Sequence, residues 1–275
     1  DTSQNLRANT GDLEGKTVTV SDASNVADYG TLISAVTANN AQGTVAGAVS
    51  DTPAALATTE NVTLTGATSV TAVISNANDL VSVQLDTEVT AIEIGTNSVT
   101  DVLFDIEDLK NGNNANRTVS NTGGGGSYKI KDTATILAAN DSFLEGQTVI
   151  INDSSTAATT SELNTIQAGI EANGASGALT YTKLTGTATS LAANTADIIA
   201  GVAVTIDESG NNTPADTAEI NSLQTAVGNA AGASLTYTKV SDTSQNLRAN
   251  TGDLEGKTVT VSDASSASQY ATLIS

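Results

Sequence analysis

Apolar and polar residues alternate over short runs along this chain, and the runs are of two kinds. Leu-Thr-Tyr-Thr-Lys occupies residues 179–183 and again 235–239, and Thr-Val-Thr-Val occupies 17–20 and 258–261. Two variants of the second kind, GQTVIIND and GVAVTIDE, fill residues 146–153 and 201–208. A period of two puts successive side chains on opposite faces, so these runs predict strands. Between them the period lengthens. In residues 214–232, Ala218, Ile220, Leu223 and Val227 fall at roughly helical spacing, with Pro214 in the first turn and Gly228 and Gly232 as the stop. TAATTSELNTIQAGIEA (156–172) reads as a second such helix, and ATSLAANTADI (188–198) as a shorter apolar-periodic segment.

These elements return at fixed distances. Residues 1–24 reappear letter for letter at 242–265, and five of the next ten positions also match, so one long period is 241 residues. A shorter period lies inside it. Gly146, Gly201 and Gly256 lead the Thr-Val-type strands and are evenly spaced. Each unit, about 55 residues long, reads as strand, turn, helix, strand, turn, helix. That grammar implies parallel strands joined by crossovers, because antiparallel neighbours need only a short turn.

The expected fold is a β-rich α/β repeat: a parallel-strand solenoid with short crossover helices, interrupted by an all-β region. Residues 1–50 are a partial α/β unit, 132–241 two full units, and 242–275 the start of the next long period. A string of separate modules is the alternative, but single modules of that size have thin cores that stacking relieves. The middle, residues 51–131, breaks the grammar with strand-like runs and no convincing helix. There Val81, Val83, Leu85, Val89, Ile92, Ile94, Val99, Val102 and Leu103 recur about every ten residues, as in short β-helix coils or a β-meander. NGNNANRTVSNTGGGGS (111–127) reads as a flexible loop by composition.

Composition narrows the function. Thirty acidic residues against ten basic ones give a net charge of −20, which repels phosphate backbones, so a nucleic-acid partner is not expected. No stretch of 18 apolar residues occurs, so no membrane insertion is expected of this segment. With no Cys and no His, thiol nucleophiles and Ser-His-Asp triads have no residues to use. Paired carboxylates for glycoside cleavage are still chemically open, but the acidic positions sit in repeated turns, whereas a catalytic pair is normally unique. The chain is therefore expected not to be an enzyme. Met is also absent, so this stretch is expected to come from a longer or processed chain.

TKVSDTSQNLRAN, TVTVSDAS, TKLTGTATSLAAN, and VAVTIDE ahead of TPADTAEINSL carry a resemblance. In these motifs the chain resembles the giant repetitive cell-surface and secreted proteins of bacteria, among them large adhesin-like proteins and motility-associated surface proteins of cyanobacteria. The resemblance covers roughly residues 1–46 and 131–275. It implies structural or adhesive work at the cell surface or outside the cell, often with calcium. The glycine-rich nonapeptide calcium signature is absent here.

The recurrent aspartates after strands are Asp22, Asp51, Asp132, Asp153, Asp207, Asp242 and Asp263. Their plain reading is helix N-capping, in which a carboxylate accepts the free amides of the turn that follows. The functional reading is calcium, which takes oxygen ligands. Asp153, Asp207, Glu208, Asp216 and Asp263 are the candidate ligands; Asp207, Glu208, Asn211, Asn212 and Asp216 form the densest oxygen cluster, without the spacing of an EF-hand loop. Tyr181 and Tyr237 share one strand position, and Tyr29 and Tyr270 one helical position, expected to be periodic core rather than a glycan-stacking stripe. Lys183 and Lys239 read as strand lysines that discourage edge pairing rather than isopeptide partners. The expected role is a component of an extracellular filament, fibre or surface layer. An adhesin binding glycans through residues 51–131 is the alternative, and a polysaccharide-acting enzyme the third reading. Because 1–34 and 242–275 are equivalent, the partner expected first is the chain itself, joined end to end.

Overall fold

Every strand pairing among the described residues is parallel. The computed structural model describes residues 1–57, 64–74, 89–94, 102–110, 117–121, 128–210 and 212–273. It divides into two compact units, Asp1–Lys131 and Asp132–Ser275. The protein is thus mixed α/β with short helices, and its sheets are open.

In the first unit, β1 (Thr17–Thr19), β2 (Thr44–Asp51), β3 (Ala67–Ile74) and β4 (Ala91–Ile94) lie side by side. β5 (Val102–Phe104) leaves that sheet and pairs with β7 (Tyr128–Asp132), while β6 (Thr118–Asn121) completes the sheet beside β4. Alternation decides which side chains go inward. Val18 and Val20, Val45 and Val49, Val70 and Ile74, and Ile92 and Ile94 are all buried. Each such side chain contributes about 1.5–3 kcal/mol on leaving water. Helix α1 (Ser3–Ala8) precedes β1, and α2 (Val26–Val36) crosses from β1 to β2 and buries Tyr29, Leu32 and Val36 along one face.

In the second unit, β8 (Thr148–Ile151) pairs with β10 (Ala178–Thr180). β9 (Ala158–Thr159), β11 (Lys183–Gly186), β12 (Ala203–Ile206) and β13 (Ser234–Thr236) form a four-stranded sheet, and β14 (Lys239–Asp242) pairs with β15 (Thr258–Val261). Partners are one crossover apart throughout. The shortest step sets Lys239 on Thr258, and the longest sets Ala203 on Ser234.

Two helix types alternate with these strands. The short ones are α1, α4 (Ala134–Ala139), α6 (Ala188–Ala193) and α8 (Ser244–Ala249). Each opens on a threonine whose hydroxyl accepts an amide of the first turn: Thr2, Thr133, Thr187 and Thr243. Each closes on an asparagine whose side-chain amide donates to the carbonyl four residues back: Asn9 to Asn5, Asn140 to Ile136, Asn194 to Ser190 and Asn250 to Asn246. The Thr-to-Asn motif therefore satisfies both ends of a short helix that propensity alone does not sustain. The long helices are α2, α5 (Thr160–Ile170) and α7 (Thr217–Asn229); α5 and α7 start with reciprocal capping boxes, Thr159 with Glu162 and Asp216 with Glu219.

Several expectations are corrected. The Leu-Thr-Tyr-Thr-Lys run is not one strand. It breaks at Tyr181–Thr182 into β10 and β11, which pair with different partners. The α7 helix starts at Thr217, after Pro214, because the Asp216–Glu219 box captures the start, and Gly228 lies inside it. Its inward residues are Thr217, Ile220 and Leu223; Ala218 is exposed and Val227 only half-buried. Residues 51–131 are not all β, since α3 (Pro53–Ala57) opens them with proline as its first residue. Nor is 111–127 a loop throughout. Thr118–Asn121 is β6, anchored by the buried Arg117, whose Nε donates to the carbonyl of Val89 (2.9 Å) and Nη1 to that of Asp108 (2.8 Å). A β-meander is excluded for the described strands, and Thr71 pairs with Ala91, about twice as far along the chain as the apolar recurrence suggests. Val81, Val83, Leu85 and Val99 lie outside the described residues.

Candidate functional site

One carboxylate recurs two residues beyond the inward-facing end of each Thr-Val-type strand, and four copies of it can be compared: Asp22, Asp153, Glu208 and Asp263. The backbone fixes the equivalence. The residue just before each donates its amide to the carbonyl of the residue that precedes the threonine cap of a short helix: Ser21 to Asp1, Asn152 to Asp132, Asp207 to Gly186 and Ser262 to Asp242. Asp207 is thus the counterpart of Asn152, and Glu208, not Asp207, is the counterpart of Asp153. The strand runs 146–153 and 201–208 already set Asp153 against Glu208, but counting aspartates alone put Asp207 in that place, because glutamate substitutes for aspartate.

The four carboxylates divide into two pairs by the direction in which they reach. Asp22 accepts the Ser3 amide (2.6 Å) and hydroxyl, and Asp263 accepts the Ser244 amide (2.6 Å) and hydroxyl, so each caps the first amide of a short helix that precedes it. Asp153 reaches forward instead. Its Oδ2 accepts the amides of Thr182 (2.5 Å) and Lys183 (2.7 Å), and the Thr182 hydroxyl completes the set. Glu208 does the same to the Lys239 amide (2.7 Å), the Thr238 amide and the Thr238 hydroxyl. The direction goes with the first residue of the short helix. Where it is serine, its hydroxyl gives the carboxylate a second donor; in α4 and α6 it is Ala134 and Ala188, whose side chains offer none.

A second family of carboxylates works the same way. Asp51 accepts the Val26 amide at the start of α2 (3.0 Å), and Asp242 accepts the Thr217 amide (3.1 Å) and hydroxyl (2.6 Å) at the start of α7. The other oxygen of each holds the amide of its own next residue, Thr52 or Thr243. Capping therefore holds for Asp22, Asp51, Asp242 and Asp263 toward a helix earlier in the chain, and Asp51, Asp132 and Asp242 also hold the amide that follows them, whereas Asp153 caps no helix. Each bond ties one crossover to the next, and a charged acceptor makes it stronger than a neutral one.

Electrostatics follows from these donors. Burial raises the Asp153 carboxyl, but the amides and hydroxyl of Thr182 and the amide of Lys183 outweigh it and leave it below the usual range. Asp242 is lowered in the same way, its burial overcome by donors from Thr217, Thr243 and Asn246.

The five candidate calcium ligands are not brought to one point. Asp153, Glu208 and Asp263 hold the amides described above. Asp216 accepts the Glu219 amide (2.7 Å) as the cap of α7, and Asp207 closes its own turn on the Ser209 amide and the Asn212 side chain (both 3.0 Å). Among the described residues no three acidic side chains are grouped as a metal site would need. Asn211 lies outside the described residues.

Of the four paired tyrosines three are core, and the expectation is corrected for Tyr270, which is 53% exposed. Tyr181 and Tyr237 are buried and donate to the carbonyls of Asp197 and Asp253, and Tyr29, wholly buried, donates to that of Val45. Lys183 and Lys239 donate to the carbonyls of Ser154 and Glu208. No family model, curated protein or solved structure matches this chain.

Proposed function

We propose that this chain is a non-enzymatic structural segment of a secreted or surface-attached repeat protein, and that it is a parallel α/β solenoid whose work is to extend an acidic fibre or surface layer. The observation that carries this reading is the recurring step of strand pairing. Parallel partners always lie one crossover apart, from the short step of Lys239 onto Thr258 to the long one of Ala203 onto Ser234. Such a step lets a sheet and its apolar layer continue without limit as coils are added. The recurrent carboxylates support it, because residues repeated in every unit serve the repeat rather than a unique reaction. Negative charge of −20 keeps so extended a surface soluble. Electron microscopy of the protein in its native assembly is the test. Regular fibres or a lattice with an axial repeat are expected; discrete particles that turn over a polysaccharide would sink the reading.

A further inference from the structure

Tyr181 and Tyr237 hold the same place in successive units, and each donates its hydroxyl to an aspartate carbonyl, that of Asp197 or Asp253. The later pair is fully served by the chain itself. The Asp253 carboxylate accepts the Gln224 side-chain amide of α7 (2.7 Å). Lys257 sets its ammonium 4.3 Å from the centre of the Tyr237 ring and donates to the Tyr237 carbonyl (2.9 Å).

The earlier pair lacks both donors. Gln167 stands on α5 at the same distance from its N-cap as Gln224 on α7, but it donates to Glu171, one turn further on. In α7 the place of Glu171 is taken by Gly228, which leaves Gln224 free to cross to Asp253. Lys257 follows Gly256, and the residue that follows the matching Gly201 is Val202. Asp197 Oδ2 is accordingly buried with no hydrogen-bond partner. Burial holds its carboxyl above the ordinary value.

A cavity of about 290 Å³ opens at this point, between α5 and residues 196–199. Leu163, Leu179, Tyr181 and Ile199 give it apolar walls, and Gln167 and Asp197 are among its polar residues. Ile199, 40% exposed, stands where the later unit has Glu255. No basic side chain is among the described residues that line it. The χ2 torsion of aspartate is broad, so the carboxylate can turn an oxygen toward the cavity at little cost.

We propose that this cavity binds a primary alkylammonium group, with its N–H donors on the Asp197 carboxylate and its alkyl chain against Leu163, Leu179 and Ile199. The later unit shows the chemistry, an N–H donor on the aspartate and an ammonium on the tyrosine, supplied there from within. A cation suits the place better than a neutral amide, because a charge-assisted bond is the stronger and a net charge of −20 concentrates cations. The site goes beyond the structural reading above, which stands or falls separately.

Isothermal titration calorimetry of the full chain at neutral pH, with n-pentylamine and with N-acetyl-lysine N-methylamide, tests it. Saturable one-to-one binding of at least one probe is expected, weakened about tenfold or more in Asp197→Asn. Glu171→Ala frees Gln167 to take Asp197 as Gln224 takes Asp253, and should weaken binding several-fold. Asp253→Asn removes an equal charge elsewhere and should leave it unchanged. Circular dichroism establishes that each variant is folded. No saturable binding of either probe, or equal affinity in wild type and Asp197→Asn, overturns the site. Equal effects of Glu171→Ala and Asp253→Asn would mean general attraction to an acidic surface and overturn it too. Tighter binding of pentylamine points to a free amine, and of the lysine derivative to a lysine side chain; either supports the shared chemistry.

Discussion

At the scale of single residues, the carboxylates at turns hold the crossovers together through backbone amides. Asp153 and Asp207 look alike in the sequence, yet Asp153 takes two backbone amides and a hydroxyl 29 and 30 residues away, while Asp207 closes a local turn. Asp153→Ala should therefore cost about 1–3 kcal/mol, because it leaves two part-buried amides without their charged acceptor, and Asp207→Ala within roughly 0.5 kcal/mol. Urea denaturation monitored by circular dichroism compares them; equal losses would falsify the clamp. A different carboxyl reverses the usual dependence on pH. Asp108 is pushed up to about 7, first by burial and then by the charge of Asp105, each carboxylate accepting the other's backbone amide. A folded value above the unfolded one means a contribution present at low pH and lost as pH rises through the folded value. Raising pH from about 5 to about 8 should destabilise the first unit, and Asp108→Asn should flatten that slope. Hydrogen exchange at residues 102–110 reads it. In the second unit the lowered Asp153 and Asp242 act with the opposite sign, contributing above the ordinary carboxyl value of 3.8 and losing that contribution as acid titrates the folded form.

At the scale of elements, glycines decide how closely crossovers stack. A Cβ at Gly177 would sit 2.1 Å from the Gln147 carbonyl oxygen, whereas one at Gly228, inside α7, meets nothing within 4 Å. Gly177→Ala should cost about 1–3 kcal/mol by overpacking, and Gly228→Ala should stabilise by about 0.5–1 kcal/mol through helix propensity. Thermal melts of the two variants must move in opposite directions. Element types were legible in advance wherever a period persisted. α5 and the Thr-Val strands lie where alternation and helical spacing put them, but boundaries were decided by caps. The Asp216–Glu219 box moved the start of α7 past Pro214, and the forward reach of Asp153 split Leu-Thr-Tyr-Thr-Lys into β10 and β11.

At the scale of the whole molecule, no three acidic side chains among the described residues are grouped as a metal site would need. Amide donors already occupy Asp153, Glu208 and Asp263, so chelation should not loosen the fold. A melting temperature unchanged by EDTA is the expected result; a fall of several degrees would instead demand a cation among these carboxylates. The middle of the chain was the part least readable from sequence. Arg117, in a stretch rich in Asn and Gly, is buried against the carbonyls of Val89 and Asp108, and that long-range contact makes a strand of Thr118–Asn121.

What the sequence determined by itself was local and periodic: strand and helix type, the short and long repeats, the parallel grammar, and the absence of thiol and imidazole chemistry. These depend on side-chain spacing and composition, which are written along the chain. Tertiary structure alone decided which carboxylate meets which amide. Asp22 and Asp153 occupy the same place in the repeat, yet one reaches back 19 residues and the other forward 29. The difference lies in the donors a neighbouring crossover presents, Ser3 in one case and Thr182 in the other. Parallel pairing one crossover apart brings those donors into reach, and nothing in the few residues around an aspartate records it.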